Sequence, residues 1–149
     1  MHTAINIAYH LLDIAHRNGD CITNLKLQKL LYYAQAWFMV NNNGKLLFED
    51  DIEAWKYGPV VRSVYDNFKK YNSSPIEISK RRRKIKPLEK NEEIFLEEFS
   101  ITFYKFSASE LVAMTHNERP WIDAYSKSPN SVIDTSVMYE FYKSMLDEK

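Results

Sequence analysis

The sequence predicts a mainly α, single-domain fold of about six to seven helices with at most one short β-hairpin, and three observations carry that expectation. Apolar residues recur at helical spacing along most of the chain, glycine occurs only 3 times, and 45% of the 149 residues are hydrophobic. That content closes one core without disulfides or metals. Cys21 is the only cysteine, so an intramolecular disulfide is impossible. With no signal peptide and no long apolar span, a reducing cytoplasm is the expected location and no membrane association is expected. The 20 basic and 20 acidic side chains balance, which removes any global electrostatic case for nucleic acid and leaves only local ones.

Thr3 is placed to cap a first helix in which Ile5, Ala8, Tyr9 and Leu12 make one apolar stripe and Ile7, Leu11 and Ile14 a second. Stripes on two sides predict deep burial, and Asn18-Gly19 ends the helix. The metal readings here pair His10 with Asp13 or His16 with Cys21. A structural zinc site takes four organised ligands, so satisfied or surface histidines are expected, and no cofactor. Thr23 or Asn24 then caps a central helix in which Leu27, Leu30, Leu31, Ala34 and Phe38 form one continuous apolar stripe. Asn41 to Gly44 offers the left-handed geometry that stops it.

From Leu46 to Tyr57 the chain predicts the hairpin, Ile52 and Ala54 alternating against Glu53, Trp55 and Tyr57. Asp50, Asp51 and Glu53 read as a solvated acidic turn, because no nucleophile or base accompanies them. Pro59 is expected in the first turn of a helix running to Lys70, with Val61, Val64, Tyr65 and Phe68 inward and Arg62, Asp66 and Lys69 outward.

Residues 73–87 form the one linker-like interval, and within it lies the basic run Lys80, Arg81, Arg82, Arg83, Lys84, Ile85, Lys86. A solvated connector is the first reading. Phosphate binding by Arg81, Arg82 and Arg83 is the second, weakened by the lack of interleaved aromatics for base stacking. Contact with an acidic partner protein is the third. A helix over about Leu88 to Lys105 follows, with Phe95, Leu96, Phe99 and Phe103 inward. Ser107 and Glu110 form a capping box for the next, in which Leu111 and Met114 face the core and Asn117 closes the end. His116 is expected at that helix's negative end, a favourable place for a cation. Pro120 starts a short helix anchored by Trp121, and Asp134-Thr135-Ser136 caps a last one with Met138, Phe141, Tyr142 and Met145 on its apolar face.

Two stretches together resemble a known family. The pairing of Leu25-Lys26-Leu27-Gln28-Lys29-Leu30-Leu31-Tyr32-Tyr33-Ala34-Gln35 with Glu53-Ala54-Trp55-Lys56-Tyr57-Gly58-Pro59-Val60-Val61 is similar to the Panacea domain of SocA-like antitoxins, also catalogued as phage-associated GepA proteins. Ser107-Ala108-Ser109-Glu110-Leu111, Thr115-His116 and Pro120-Trp121 follow in the family's order, so the resemblance spans roughly Ala4 to Tyr142, nearly a whole domain by length.

The resemblance implies an antitoxin that neutralises a cognate toxin by direct binding. Its alternative is an adaptor that delivers the toxin to the ClpXP protease, and a nucleic-acid-binding protein using residues 80–86 is a second alternative. Many relatives also carry a DNA-binding segment, and none is read here. No enzyme motif is present: there is no Gly-rich phosphate loop, no Gly-x-Ser-x-Gly elbow and no His-Glu-x-x-His, and the His116, Glu118 pair alone does not make a catalytic site. Leu27, Leu30, Leu31, Ala34, Trp55 and Val61 are expected in the core. The motif residues that a core does not demand are Lys26, Lys29, Tyr33, Gln35, Lys56, Tyr57 and Arg62. Lys26, Lys29 and Tyr33 lie at i, i+3 and i+7, so they predict one exposed edge, which with Tyr57 and Arg62 makes the candidate partner surface.

Overall fold

Capping chemistry places the helix ends in the computed structural model, which describes residues 1–78 and 85–147. Helix α1 spans Ala4–Arg17, with the Thr3 hydroxyl accepting the Asn6 N–H, and α2 spans Asn24–Asn41, with the Thr23 hydroxyl accepting the Lys26 N–H at 3.2 Å. Asn43 and Gly44, at φ 55° and 87°, supply the left-handed stop expected of that stretch. Strands β1 (Glu53–Trp55) and β2 (Gly58–Val60) pair antiparallel, Glu53 opposite Val60 and Trp55 opposite Gly58. Pro59 therefore sits in β2 opposite Ala54 and not in the first turn of a helix, which corrects the sequence expectation. An edge strand tolerates a residue without an N–H. Helix α3 begins only at Arg62 and runs to Phe68, followed by a 3-10 turn over Lys69–Tyr71.

The second half is equally governed by its caps. Helix α4 (Lys90–Phe103) starts where the Glu92 carboxylate accepts the Glu89 N–H at 2.7 Å, two residues inside each predicted end. Helix α5 (Ala108–His116) carries the reciprocal Ser107/Glu110 box at 2.8 and 3.1 Å and closes on Asn117. Helix α6 (Arg119–Lys127) has Pro120 in its first turn, and α7 (Thr135–Asp147) begins where Asp134 accepts the Ser136 N–H at 2.8 Å. Between them, residues 130–133 run alongside β1: Asn130 donates to the Ala54 carbonyl, Ala54 to Ser131 and Ile133 to Ile52, at 2.7 to 2.8 Å. No alternation in the sequence announces that third backbone layer.

Helix α2 is the hub, packed against α1, α3, α4, α5, α7 and β2. Its predicted stripe is buried, but so are Gln28, Lys29, Tyr32, Tyr33, Gln35 and Ala36, so the helix is enclosed on nearly every side. Aromatic rings close the space around it. Phe95, Phe99, Phe103 and Tyr33 stack in succession with centroids 4.6 to 5.9 Å apart. Met138 and Tyr142 of α7 are fully buried, whereas Met145, expected on the same face, is 39% exposed because the last turn of α7 leaves the core. Among the described residues, no helix is long and apolar enough to cross a membrane. Arg81, Arg82 and Arg83 lie outside the described residues. At the end of their run, Lys86 is held on α1, its N–H donating to Asn6 and its carbonyl accepting from Asn6 and His10 at 2.7 to 3.0 Å.

Candidate partner-binding cleft

The polar residues of α2 act as internal clasps, and the hairpin hangs from them. Gln28 accepts the Val61 N–H at 2.9 Å and donates to Asn24 at 2.9 Å, while Asn24 donates to the Tyr65 carbonyl at 3.1 Å. Gln35 accepts from the Leu47 and Phe48 N–H groups and donates to the Phe48 carbonyl, so both ends of one amide fix the loop before β1. Lys29 is 0% exposed and donates to the Pro59 carbonyl at 2.9 Å. No carboxylate pairs with it among the described residues, and burial pushes its ammonium down to about 7. Gly58 leaves the room for it. With φ at +105°, a Cβ there would lie 2.8 Å from Lys29 Cε and 3.0 Å from Thr115 Oγ1.

Above these clasps opens a cleft of about 440 Å³ between the amino-terminal end of α2, the hairpin and the turn after α3. Asn24, Gln28 and Lys29 lie along its α2 side; Trp55, Lys56, Tyr57 and Val60 come from the hairpin; Tyr65, Lys69, Asn72 and Ser73 close the far side; Asn130 completes the rim. Its lining carries three lysines and no acidic side chain. Leu25 and Tyr57 line it with 40% and 61% of their surface exposed. Trp55, expected in the core, is instead half-buried and forms a wall: its ring lies 4.9 Å from Tyr65, and the Arg62 guanidinium sits 5.1 Å over it. Arg62 in turn donates to Glu53 at 2.9 and 3.3 Å, and Glu53 also accepts the Trp55 indole N–H at 2.9 Å. The Arg62 and Trp55 bonds hold the Glu53 carboxyl below its usual value against the opposing effect of burial.

Of the five predicted surface residues, Lys29 and Tyr57 meet in this cleft and Arg62 braces its wall, but no common edge exists. Lys26 turns toward the end of α4, donating to the Tyr104 carbonyl at 2.6 Å. Tyr33 is 1% exposed and donates to Glu118, as does Tyr142 at 2.7 Å, and Tyr32 bonds Tyr142 at 2.9 Å. The exposed-edge expectation for Lys29 and Tyr33 is thus corrected: α5, α7 and β2 pack on α2, with Pro59 of β2 accepting from Lys29 and Glu118, just before α6, from Tyr33. Glu118 carries a carboxyl raised by burial, with both tyrosine donors pulling the other way. His116 departs from expectation as well. Its ring stacks on Trp121 at 4.0 Å and its Nε2 is buried without a hydrogen-bond partner among the described residues, so burial lowers its pKa, the nearby Lys29 charge adding to the fall and a hydrogen bond to the Lys56 backbone opposing it. Trp121 donates to the Trp55 carbonyl at 2.8 Å and so ties α6 to the cleft wall.

The sequence matches the family described as Antitoxin SocA-like, Panacea domain, over residues 27–122. The chain belongs to that family. This SocA-like chain is also 34% identical over 136 residues to Antitoxin SocA of Caulobacter vibrioides (strain NA1000 / CB15N), covering 84% of its own length and 71% of the relative. No solved structure matches it. The matched interval opens inside α2 and ends in α6, so it contains Gln28, Lys29, Gly58, Pro59 and Trp121, the residues that fasten the hairpin to the rest of this Panacea domain. Asn24, Tyr65, Asn72 and Asn130 went unforeseen as lining because the turn after α3 and the 130–133 segment approach the hairpin only through the tertiary fold.

Proposed function

We propose that this chain is the antitoxin of a toxin–antitoxin pair and neutralises its toxin by binding it directly at the cleft beside the hairpin. One observation carries the placement. The polar residues of the family-like stretches are spent inside, holding the hairpin, and what they present outward is an aromatic, lysine-lined cleft with Tyr57 at its rim. Buried clasps under an exposed aromatic make a preorganised surface, which lowers the ordering cost of association. Membership in the SocA-like family supports a toxin as the partner. Lys29, Glu53, Arg62, His116 and Glu118, groups with shifted pKa values in this region, are each engaged in packing or in hydrogen bonds to other residues of the chain, and we infer binding and not turnover. Turnover lost on changing His116 or Glu118 would overturn that inference.

The test is co-expression with the protein encoded beside this gene, scored for growth, together with affinity measured on purified components. Tyr57→Ala is expected to speed dissociation, an aromatic anchor being worth about 2 kcal/mol, with unchanged thermal unfolding. Full protection by that variant would remove Tyr57 from the interface. Delivery of the toxin to a protease makes a separate demand, since protection would then vanish in cells lacking ClpXP while affinity stayed intact.

A further inference from the structure

Glu53 and Trp55 stand two residues apart on β1 with buried Ala54 between them, so both side chains leave the same, outward face of the strand. The Trp55 indole N–H and the Arg62 Nη2–H both donate to Glu53 Oε1 at 2.9 Å, and the Arg62 Nε–H donates to Oε2 at 3.3 Å. The guanidinium lies 5.1 Å over the indole, and the Tyr65 ring meets it edge-on with centroids 4.9 Å apart. The backbone beneath is fixed independently, because the Trp55 carbonyl accepts the Trp121 indole N–H at 2.8 Å. Trp55 and Tyr65 line the cleft, whereas Glu53 and Arg62 stand outside the lining. An ion pair whose arginine is 52% exposed adds little to stability. What the pair does set is the orientation of the ring in front of it.

We propose that Glu53 is a positioning residue for partner recognition: without touching the partner, it holds the Trp55 ring, with Arg62 across it, in the orientation that forms the cleft wall. This rests on the reading of the cleft as the partner surface, and it gives Arg62, expected from the sequence as a contact residue, a bracing role. An unbraced tryptophan samples three χ1 wells and about two orientations at χ2, so only a fraction of the free molecules presents the wall. Apparent affinity falls by that fraction. The loss appears in association, because complexes once formed keep the same contacts. A residue that touches the partner behaves oppositely, since truncating it speeds dissociation.

The test uses the full 15N-labelled chain and, for binding, the protein encoded beside this gene. In Glu53→Leu the Trp55 indole N–H signal is expected to move to the position of a solvent-exposed indole, while the Trp121 indole signal, whose acceptor is the Trp55 carbonyl, stays in place. Association should slow roughly three- to six-fold with dissociation changed less than about two-fold, and thermal unfolding should stay near that of the wild type. Glu53→Gln keeps an acceptor for the indole and should restore most of the indole position and of the association rate. In a Trp55→Phe background, which has a ring but no N–H, Glu53→Leu should lose most of its effect on association. An indole signal unmoved by Glu53→Leu, an association rate that Glu53→Gln does not restore, or a Glu53→Leu effect that persists in full beside Trp55→Phe overturns the proposal. Failure of the antitoxin reading is separable: a wild-type chain that does not bind the neighbouring protein removes that reading and the recognition role of Glu53 with it, while the indole signals still report whether the carboxylate holds the ring.

Discussion

Replacing Lys29 by methionine should make the protein more stable at neutral pH and below, and the gain should shrink as the solution becomes alkaline. The ammonium has a reference value of 10.5 and is pushed to about 7 by burial alone. A displacement of that size corresponds to roughly 4–5 kcal/mol against the charged form, taken as an upper bound. Methionine matches the length of the stem and fills the space without charge, but it leaves the Pro59 carbonyl without the ammonium donor, a loss of about 1.5–3 kcal/mol. The expected net gain near pH 6 is therefore about 2 kcal/mol. The pH dependence is the firmer signature. Between about 7 and 10.5 the unfolded chain holds the Lys29 proton and the folded chain does not, so raising the pH favours the folded wild type by up to about 1.4 kcal/mol per unit. The methionine variant lacks this contribution, and the other titrating groups cancel in the difference. Urea unfolding of both proteins at about pH 6, 7.5 and 9 measures it, with wild type gaining on the variant by about 2.7 kcal/mol from the first point to the last. A difference that stays flat within about 0.5 kcal/mol would refute a buried, displaced ammonium at this position.

Gly58→Ala should destabilise the domain by about 2 kcal/mol or more in the same assay, since it imposes both a positive φ and a Cβ 2.8 Å from Lys29 Cε. Gln35→Leu should cost about 2–4 kcal/mol, because it strips partners from the Leu47 and Phe48 backbone groups in the interior, whereas Gln35→Glu should recover the two acceptor contacts in part. Tyr32, Tyr33, Tyr104 and Tyr142 are all raised above their ordinary value of 10 by burial. The folded chain then keeps protons that the unfolded chain releases, so stability should fall as pH rises beyond about 10, and Tyr104→Phe should soften the fall measured by alkaline denaturation.

What the sequence disclosed, and what it hid, divide along a physical line. Thr3, Thr23, Ser107 with Glu110, and the Asn43-Gly44 stop act within one turn of chain, so their chemistry is readable from neighbours alone. The mainly α class and the stripe through Leu27, Leu30, Leu31, Ala34 and Phe38 followed from the same periodicity. Lys29, Gln35 and Tyr33 read as surface because a polar side chain in a helix signals exposure unless its partner is known, and those partners lie 12 to 85 residues away. The legible part of the cleft was the exposed Lys56 and Tyr57 of the hairpin turn, with Arg62 beside them. Trp55 was placed in the core by its size, but the hairpin carries it on the face that β1 turns outward, where Arg62 covers one side of the ring.

The backbone layer at residues 130–133 makes the cleft depend on a segment synthesised well after the hairpin. Asn130, one of its rim residues, follows Ala54, the residue it pairs with, by 76 positions (130 − 54), and the hairpin's outer edge stays unpaired until that segment arrives. The tyrosine pair that joins α2 to α7 is separated by 110 residues, so the hub helix keeps a bare flank until α7 is made. A chain released early would expose an open strand edge and an uncovered α2, features that invite aggregation and proteolysis. Binding competence should consequently appear only once α7 has left the ribosome, and products truncated before it should be cleared before they compete for the partner.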